Sequence, residues 1–155
     1  GYSDVIVMRH PEPGSVAKFA EASRVPVING GDGPNEHPSQ ALLDLYTMRT
    51  EIAAQGQSVD GLSIALIGDL RFGRAVHSLC KLLCLYDNIR LHLISPPELA
   101  LPSEIVGLLK NAGHEVLEYT DMADGIRGVD ILYVTRTQEE RFPSQQEADR
   151  YRGLF

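Results

Sequence analysis

Positive charge is in short supply in this chain. Its 155 residues carry 14 Lys and Arg against 21 Asp and Glu, a formal net charge of -7. Such a balance offers no basic field for counterion release from nucleic acid, so a DNA- or RNA-binding role is not expected. Cysteine is equally scarce. The two present, Cys80 and Cys84, stand four apart in an apolar helical stretch, the spacing of one buried helix face; this argues against a disulfide framework and against a zinc site. Long apolar runs are missing too: none reaches the ~18 residues of a membrane-spanning helix. The opening GYSDVIVM has no basic region ahead of its apolar run, so no secretory leader is read and a cytoplasmic location is expected. Internal repeats and low-complexity tracts are absent.

What is there is a regular alternation. With 43% hydrophobic residues, a chain of this length can bury about 68–70% of its unfolded surface in one compact unit. VIVM at 5–8 reads as a short buried strand, and residues 14–22 as an amphipathic helix with Val16, Phe19 and Ala20 inward. VPVIN at 25–29 is the next strand. The turn-rich GGDGPNEHPSQ follows, with His37 near a helix cap and Pro38 at the first helical position, where its missing N–H does no harm. That helix runs to about Ala54 on an apolar face of Ala41, Leu45, Met48 and Ile52, and 55–61 is a polar linker. A second alternating unit begins at Leu62 with LSIALIG, turns through DLRFG, and continues as a helix from Arg74 to about Leu85. Strands at 90–94, 114–119 and 129–135 follow. A helix at 102–112 separates the first two and stops at Gly113, while a short one around 122–126 precedes the third. Beyond Arg136 the chain turns strongly polar. The fold class is α/β, a Rossmann-like parallel sheet flanked by helices.

Three arginines, Arg9, Arg74 and Arg136, each follow one of the apolar runs, VIVMR, ALIGDLRFGR and ILYVTR. Open α/β sheets bind ligands outside the carboxyl ends of their strands, so three cations there describe a pocket for a small polyanion. Arg74 would sit at the positive end of a helix dipole, where a cation is disfavoured by ~0.3–1 kcal/mol. The bland alternative for Arg9 and Arg136 is a salt bridge to a surface carboxylate. Residues 30–37 lead into the free N–H groups of the Pro38 helix, a natural place for negative charge. His37 either caps that helix or faces the ligand; Gln40, one turn on, offers an amide donor and acceptor to the same space. Nucleotide binding fits poorly. Gly68 and Gly73 enclose Asp-Leu-Arg-Phe without the middle glycine of a dinucleotide fingerprint, and Ser95-Pro96-Pro97 stands where a ribose-binding acid belongs.

Four motifs then point to a family. VMRHP at 7–11, GDGPNEHPSQALLDLYT at 31–47, GDLRFGRAVHSL at 68–79 and LYVTRTQEERF at 132–142 together closely resemble the catalytic chain of the aspartate carbamoyltransferases, of the aspartate/ornithine carbamoyltransferase fold. The related ornithine enzymes share the HPxQ element but recognise their amino acid through a Ser-Met-Gly loop, where VTRTQEER stands here. The resemblance implies carbamoyl transfer from carbamoyl phosphate to L-aspartate, with no metal or cofactor. It implies Arg9 and His37 as catalytic residues on the phosphate and carbonyl oxygen, and Gln40 on the carbamoyl amine. Arg74 would then take the aspartate α-carboxylate, and Arg136 with Gln138 the β-carboxylate. Arg71 and Phe72 depart from the family's more usual Lys or Arg and then Tyr or His, so a polar contact near the aspartate site is expected to be missing.

On the same resemblance, residues 1–50 correspond to the end of a carbamoyl-phosphate-binding domain with its linking helix, and 51–155 to most of an aspartate-binding domain. The family's Ser-Thr-Arg-Thr phosphate loop, its mobile serine and lysine loop lent by a neighbouring subunit, and its HPLPR-like segment are not found. Gly1 starts in a strand and Phe155 stops where the family continues, so the chain is read as a fragment, inactive alone, of a homotrimeric enzyme with shared sites. A regulatory chain or a dihydroorotase is a possible partner. A non-catalytic assembly or regulatory module with the same fold is the alternative, and a nucleotide-binding oxidoreductase domain is the more remote one.

Overall fold

A computed structural model describes residues 2–151 and residue 153. Gly1 and Phe155, on which the reading of the chain ends rested, lie outside the described residues. Among the described residues six strands and six α-helices alternate: β1 (Ile6–His10), α1 (Ser15–Ala22), β2 (Val27–Asp32), α2 (Pro38–Ala54), β3 (Ser63–Gly68) and α3 (Arg74–Leu83). Then come β4 (Arg90–Ile94), α4 (Ser103–Asn111), β5 (Glu115–Tyr119), α5 (Met122–Gly125), β6 (Ile131–Thr135) and α6 (Gln145–Asp149). Every pairing between these strands is parallel. β1 and β2 form one sheet, and the other has the order β5-β4-β3-β6.

That order fixes where a ligand can sit. The chain steps from β3 to β4 to β5 on one side, then crosses back so that β6 lies on the other side of β3. The connections leaving β3 and β6 therefore part at their carboxyl ends, which opens the crevice typical of a topological switch point. Gly68 closes β3 at φ +114°, and a Cβ there would run into the Thr135 carbonyl at the end of β6. Its lack of a side chain lets the two strand ends lie against each other.

The core belongs to β3, β4 and the helices on one side of them. β3 is buried along its whole length, as a strand covered on both faces must be. Helix α2 inserts Ala41, Leu45, Met48 and Ile52 into the same cluster as Leu66, Leu79, Leu83, Leu91 and Leu109. The sequence period of α2 predicted this face. Helix α4 ends at Asn111 and is capped by Ala112, and Gly113 follows at φ +88°, the left-handed residue that closes a helix.

Several expectations need correction. β1 and β6 alternate between half-buried and exposed residues instead of being buried throughout, because each has a sheet face that no described element covers. Val7, Ile28, Leu132 and Val134 stand exposed there. β2 begins and ends later than the VPVIN run, and takes in Gly30, Gly31 and Asp32. In α1 only Val16 is buried; Phe19 and Ala20, expected inward, are exposed, since a two-strand sheet is too narrow to receive more of the helix. Past Arg136 the polar stretch adds a 3-10 turn at Glu139–Arg141 before α6. No helix among the described residues is long and apolar enough to cross a membrane.

Candidate active site

The carboxyl ends of β1, β3 and β6 and the amino ends of α2 and α3 meet around one cleft of about 230 Å³. Arg9, His37, Arg74, Arg136, Gln138, Glu140 and Arg141 are among the residues lining it. Five of the six residues expected to form the site are thus gathered, from stretches as far apart as β1 and the segment after β6.

Each is held by its local chain. His37 follows a loop pinned by Asp32, which is only 2% exposed. Its carboxylate accepts from the N–H groups of Gly14 (2.9 Å) and Glu36 (3.1 Å) and from the amides of Asn35 and Asn29. Burial alone would raise that carboxyl, yet the hydrogen bonds from Asn35, Gly14, Asn29 and Glu36 hold it below the ordinary range. His37 occupies the N-cap position of α2 but makes no side-chain cap bond, so the capping reading is not realised. Its N–H instead donates to Ser78 Oγ at 3.0 Å, and Ser78 donates in turn to Glu36, which Lys81 also pairs. The imidazole pKa is lowered by burial first, then by the positive charges of Arg74 and Arg9. The ring is therefore kept neutral near pH 7.

Arg74 is the first residue of α3, at the positive end of the helix as anticipated. Its guanidinium reaches back to donate to the Gly33 carbonyl, across the cleft between the two sheets. Gly31, at φ +118°, leaves the space that this guanidinium fills. Burial, then Arg141 and Arg9, make Arg74 less basic than an ordinary arginine. A dianion entering here would relieve that crowding of like charge.

Arg136 realises both of its anticipated readings. It lines the cleft, and it also holds Glu140 by two bonds of 3.0 and 2.7 Å. That pairing pushes the Glu140 carboxyl down to about 2. Arg136 is thus built for bidentate carboxylate contact. The Arg9 side chain makes no ion pair or hydrogen bond among the described residues. Gln138 is anchored through its own N–H to Asp69 Oδ2 at 2.9 Å. Gln40 does not line the cleft; its amide is turned along α2 to Asp44 Oδ1 at 2.9 Å.

Four contributors escaped the sequence reading. Asp69, fully buried, accepts from the N–H groups of Phe72 and Gln138 and so ties the DLRFG turn to the segment after β6. An acid opening a turn, three residues before the N–H it accepts, was the available signal. Arg141 donates to the Phe72 carbonyl and lines the cleft; Glu140 lines it too, paired with Arg136 four residues earlier, while Ser78 acts through His37 and Glu36, 41 and 42 positions away. Phe72 packs edge-on against Phe142 at 5.1 Å, and Arg71 lies over its ring. Cys80 is buried, with its thiol pushed up to about 12, and Cys84 is half-buried; both are free. Among the described residues no group of three or more His, Cys, Asp or Glu is placed to hold a metal ion.

Family models match on both sides of this cleft. The carbamoyl-P binding domain of aspartate/ornithine carbamoyltransferases matches residues 1–50, and the Asp/Orn binding domain residues 60–154. The chain belongs to the aspartate/ornithine carbamoyltransferase family. Among curated members it is 63% identical to the aspartate carbamoyltransferase catalytic subunit of Cellvibrio japonicus over 155 residues, all of this chain and 46% of that one. It is 64% identical to that of Saccharophagus degradans, with the same coverage. The chain therefore spans about half the length of the curated carbamoyltransferases it matches. Solved carbamoyltransferases share its fold. The catalytic subunit from M. jannaschii superposes with a TM-score of 0.85 at 46% identity, over 97% of this chain and 48% of that one. The Trypanosoma cruzi aspartate transcarbamoylase in complex with carbamoyl phosphate and aspartate gives 0.82 at 39% identity, over 95% and 46%.

Proposed function

We propose that this chain is part of the catalytic subunit of an aspartate carbamoyltransferase, moving the carbamoyl group of carbamoyl phosphate to the amino group of L-aspartate in pyrimidine biosynthesis. The observation that carries the proposal is the convergence of Arg9, His37, Arg74 and Arg136 on one cleft. Both substrates are anions, and the cleft supplies fixed cations with a neutral hydrogen-bond donor among them. The aspartate amine attacks the carbamoyl carbon, its lone pair forming the new C–N bond while the carbonyl oxygen gains negative charge. The tetrahedral adduct then expels phosphate, and the amine loses a proton.

His37 has a defined part in this. In the tautomer whose Nδ1 accepts from the Ser39 hydroxyl, 3.5 Å away, the neutral ring carries its proton on Nε2 and donates it to the developing oxyanion. Arg9 shares that oxygen and the phosphate. Losing one such preorganised donor typically raises the barrier by about 2.7–4 kcal/mol. Arg74 takes the aspartate α-carboxylate, and Arg136 exchanges Glu140 for the β-carboxylate with Gln138 beside it. Gln40 holds the carbamoyl amine. Clamping at several points supplies orientation and proximity more than acid–base chemistry, and neither a metal nor a cofactor enters.

The whole enzyme is read as a cytoplasmic homotrimer with sites shared between subunits, open to association with a regulatory chain or a dihydroorotase. The isolated 155-residue chain is expected to form no carbamoyl aspartate in a steady-state assay, and measurable product would overturn its reading as an incomplete site. In the full-length catalytic chain, Arg136→Lys is expected to raise KM for aspartate by roughly 10- to 100-fold while that for carbamoyl phosphate stays near wild type, because lysine cannot reproduce the bidentate contact. Equal effects on both substrates, or none, would contradict the assignment.

A further inference from the structure

Asp44 lies outside the cleft, yet it joins two residues from opposite ends of the chain. Gln40 Nε2 donates to its Oδ1 at 2.9 Å, and the Tyr133 hydroxyl, 89 residues away on β6, donates to its Oδ2 at 2.9 Å. Tyr133 is half-buried and its phenol is made less acidic, by burial first and then by the Asp44 charge, so it remains a donor. Both carboxylate oxygens are thus engaged by donors, one from helix α2 and one from the strand that ends just before Arg136.

We propose that Asp44 is a positioning residue that locks the Gln40 amide in a single orientation, and that Tyr133 holds Asp44 for that purpose. The reason lies in donor and acceptor inventory. A carboxylate only accepts, so the glutamine atom facing it must be the nitrogen; turning the amide over would set Oε1 against a negatively charged oxygen. The orientation therefore follows from chemistry and needs no distinction between nitrogen and oxygen positions. Asp44 lies one turn toward the carboxyl end of α2, and His37 one turn toward the amino end. An amide whose nitrogen is held by Asp44 keeps its oxygen free to accept from another donor. An acceptor oxygen is what an NH2 group requires, and the carbamoyl donor carries one. Asp44 also faces His37 closely enough that its charge works against the lowering of the imidazole pKa. The device thus selects a ligand with an N–H donor next to the oxyanion position and rejects an isostere with an acceptor there.

This inference rests on the carbamoyltransferase reading and deepens it. Its test uses the full-length catalytic chain and Asp44→Asn. With the Tyr133 hydroxyl still donating to Oδ1 of the new asparagine, its NH2 faces Gln40 and turns that amide over. KM for carbamoyl phosphate is expected to rise about tenfold or more, with KM for aspartate within about twofold of wild type. Adding Gln40→Glu to Asp44→Asn restores an acceptor on both edges and is expected to recover part of the loss, which no merely structural role of Asp44 predicts. An unchanged KM for carbamoyl phosphate, an equal rise in both constants, or a double variant no better than the single one overturns the proposal. Should Asp44→Asn fail to fold, Tyr133→Phe takes its place, with a smaller but equally selective rise expected and an unchanged constant decisive against it. A wild-type chain without carbamoyl transfer would sink the function itself; an active wild type with a normal Asp44→Asn sinks only this positioning role.

Discussion

His37 is the residue whose state depends most on its surroundings. Burial, Arg74 and Arg9 all lower its pKa beneath the ordinary 6.5. The sign follows directly: between the lowered folded value and 6.5 the unfolded chain binds a proton that the folded chain refuses. Stability contributed by the neutral ring is therefore present above pH 6.5 and lost as pH falls through that window. An NMR titration of the His37 ring is expected to give a midpoint below 6.5, shifted upward in Arg74→Gln because one of the opposing charges is gone. No upward shift would mean that Arg74 does not act on the ring. At this scale Arg9, His37, Arg74 and Arg136 were legible because each sits next to a strand end or helix start, which sequence marks well; Gln138 was named only through the family resemblance. Glu140, Ser78 and Asp44 were not: Ser78 reaches His37 across 41 positions, and no local pattern announces such a contact.

Among the elements, β3 and β6 carry the tightest constraint. Gly68 needs its φ of +114° and an empty Cβ position against the Thr135 carbonyl. Gly68→Ala is expected to destabilise the protein by about 1–3 kcal/mol, from left-handed backbone strain and the displaced strand end, as urea unfolding would measure. Val134→Thr, on the exposed face of β6, should change stability by less than about 0.5 kcal/mol. The period of α2 was readable because its apolar face meets α3 and the main core cluster. The inward face assigned to α1 failed at Phe19 and Ala20 because helix periodicity tells which side is apolar and not how much partner surface awaits it.

Taken whole, the molecule shows more apolar surface than its core requires. Val7 and Ile28 on β1 and β2, Leu42 and Tyr46 on α2, and Leu132 and Val134 on β6 are each about half exposed or more. Contiguous apolar faces of this kind drive association. The isolated chain is expected to sediment as a concentration-dependent mixture of monomer and larger species, shifted toward monomer by combined Val7→Thr and Val134→Thr. A single monomeric species at all concentrations would contradict that expectation. The α/β class and the order of elements were legible in the sequence from alternation alone. The division into two sheets and the open faces were not, since strand length and apolarity do not reveal how many neighbours a strand will find.

Helix α2 has 17 residues, a rod of roughly 25 Å. Its far half is embedded in the core through Leu45, Met48 and Ile52, while its tip bears His37 and Gln40. A rod so mounted behaves as a lever: with an arm of about 16 Å from Met48 to its tip, tilting the seat by only about three to four degrees swings the tip by roughly 1 Å, a displacement that can slow chemistry on the order of 100-fold. In the full-length catalytic chain, warming that loosens the seat without melting it should therefore silence the reaction proposed above several degrees before the circular dichroism signal begins to fall.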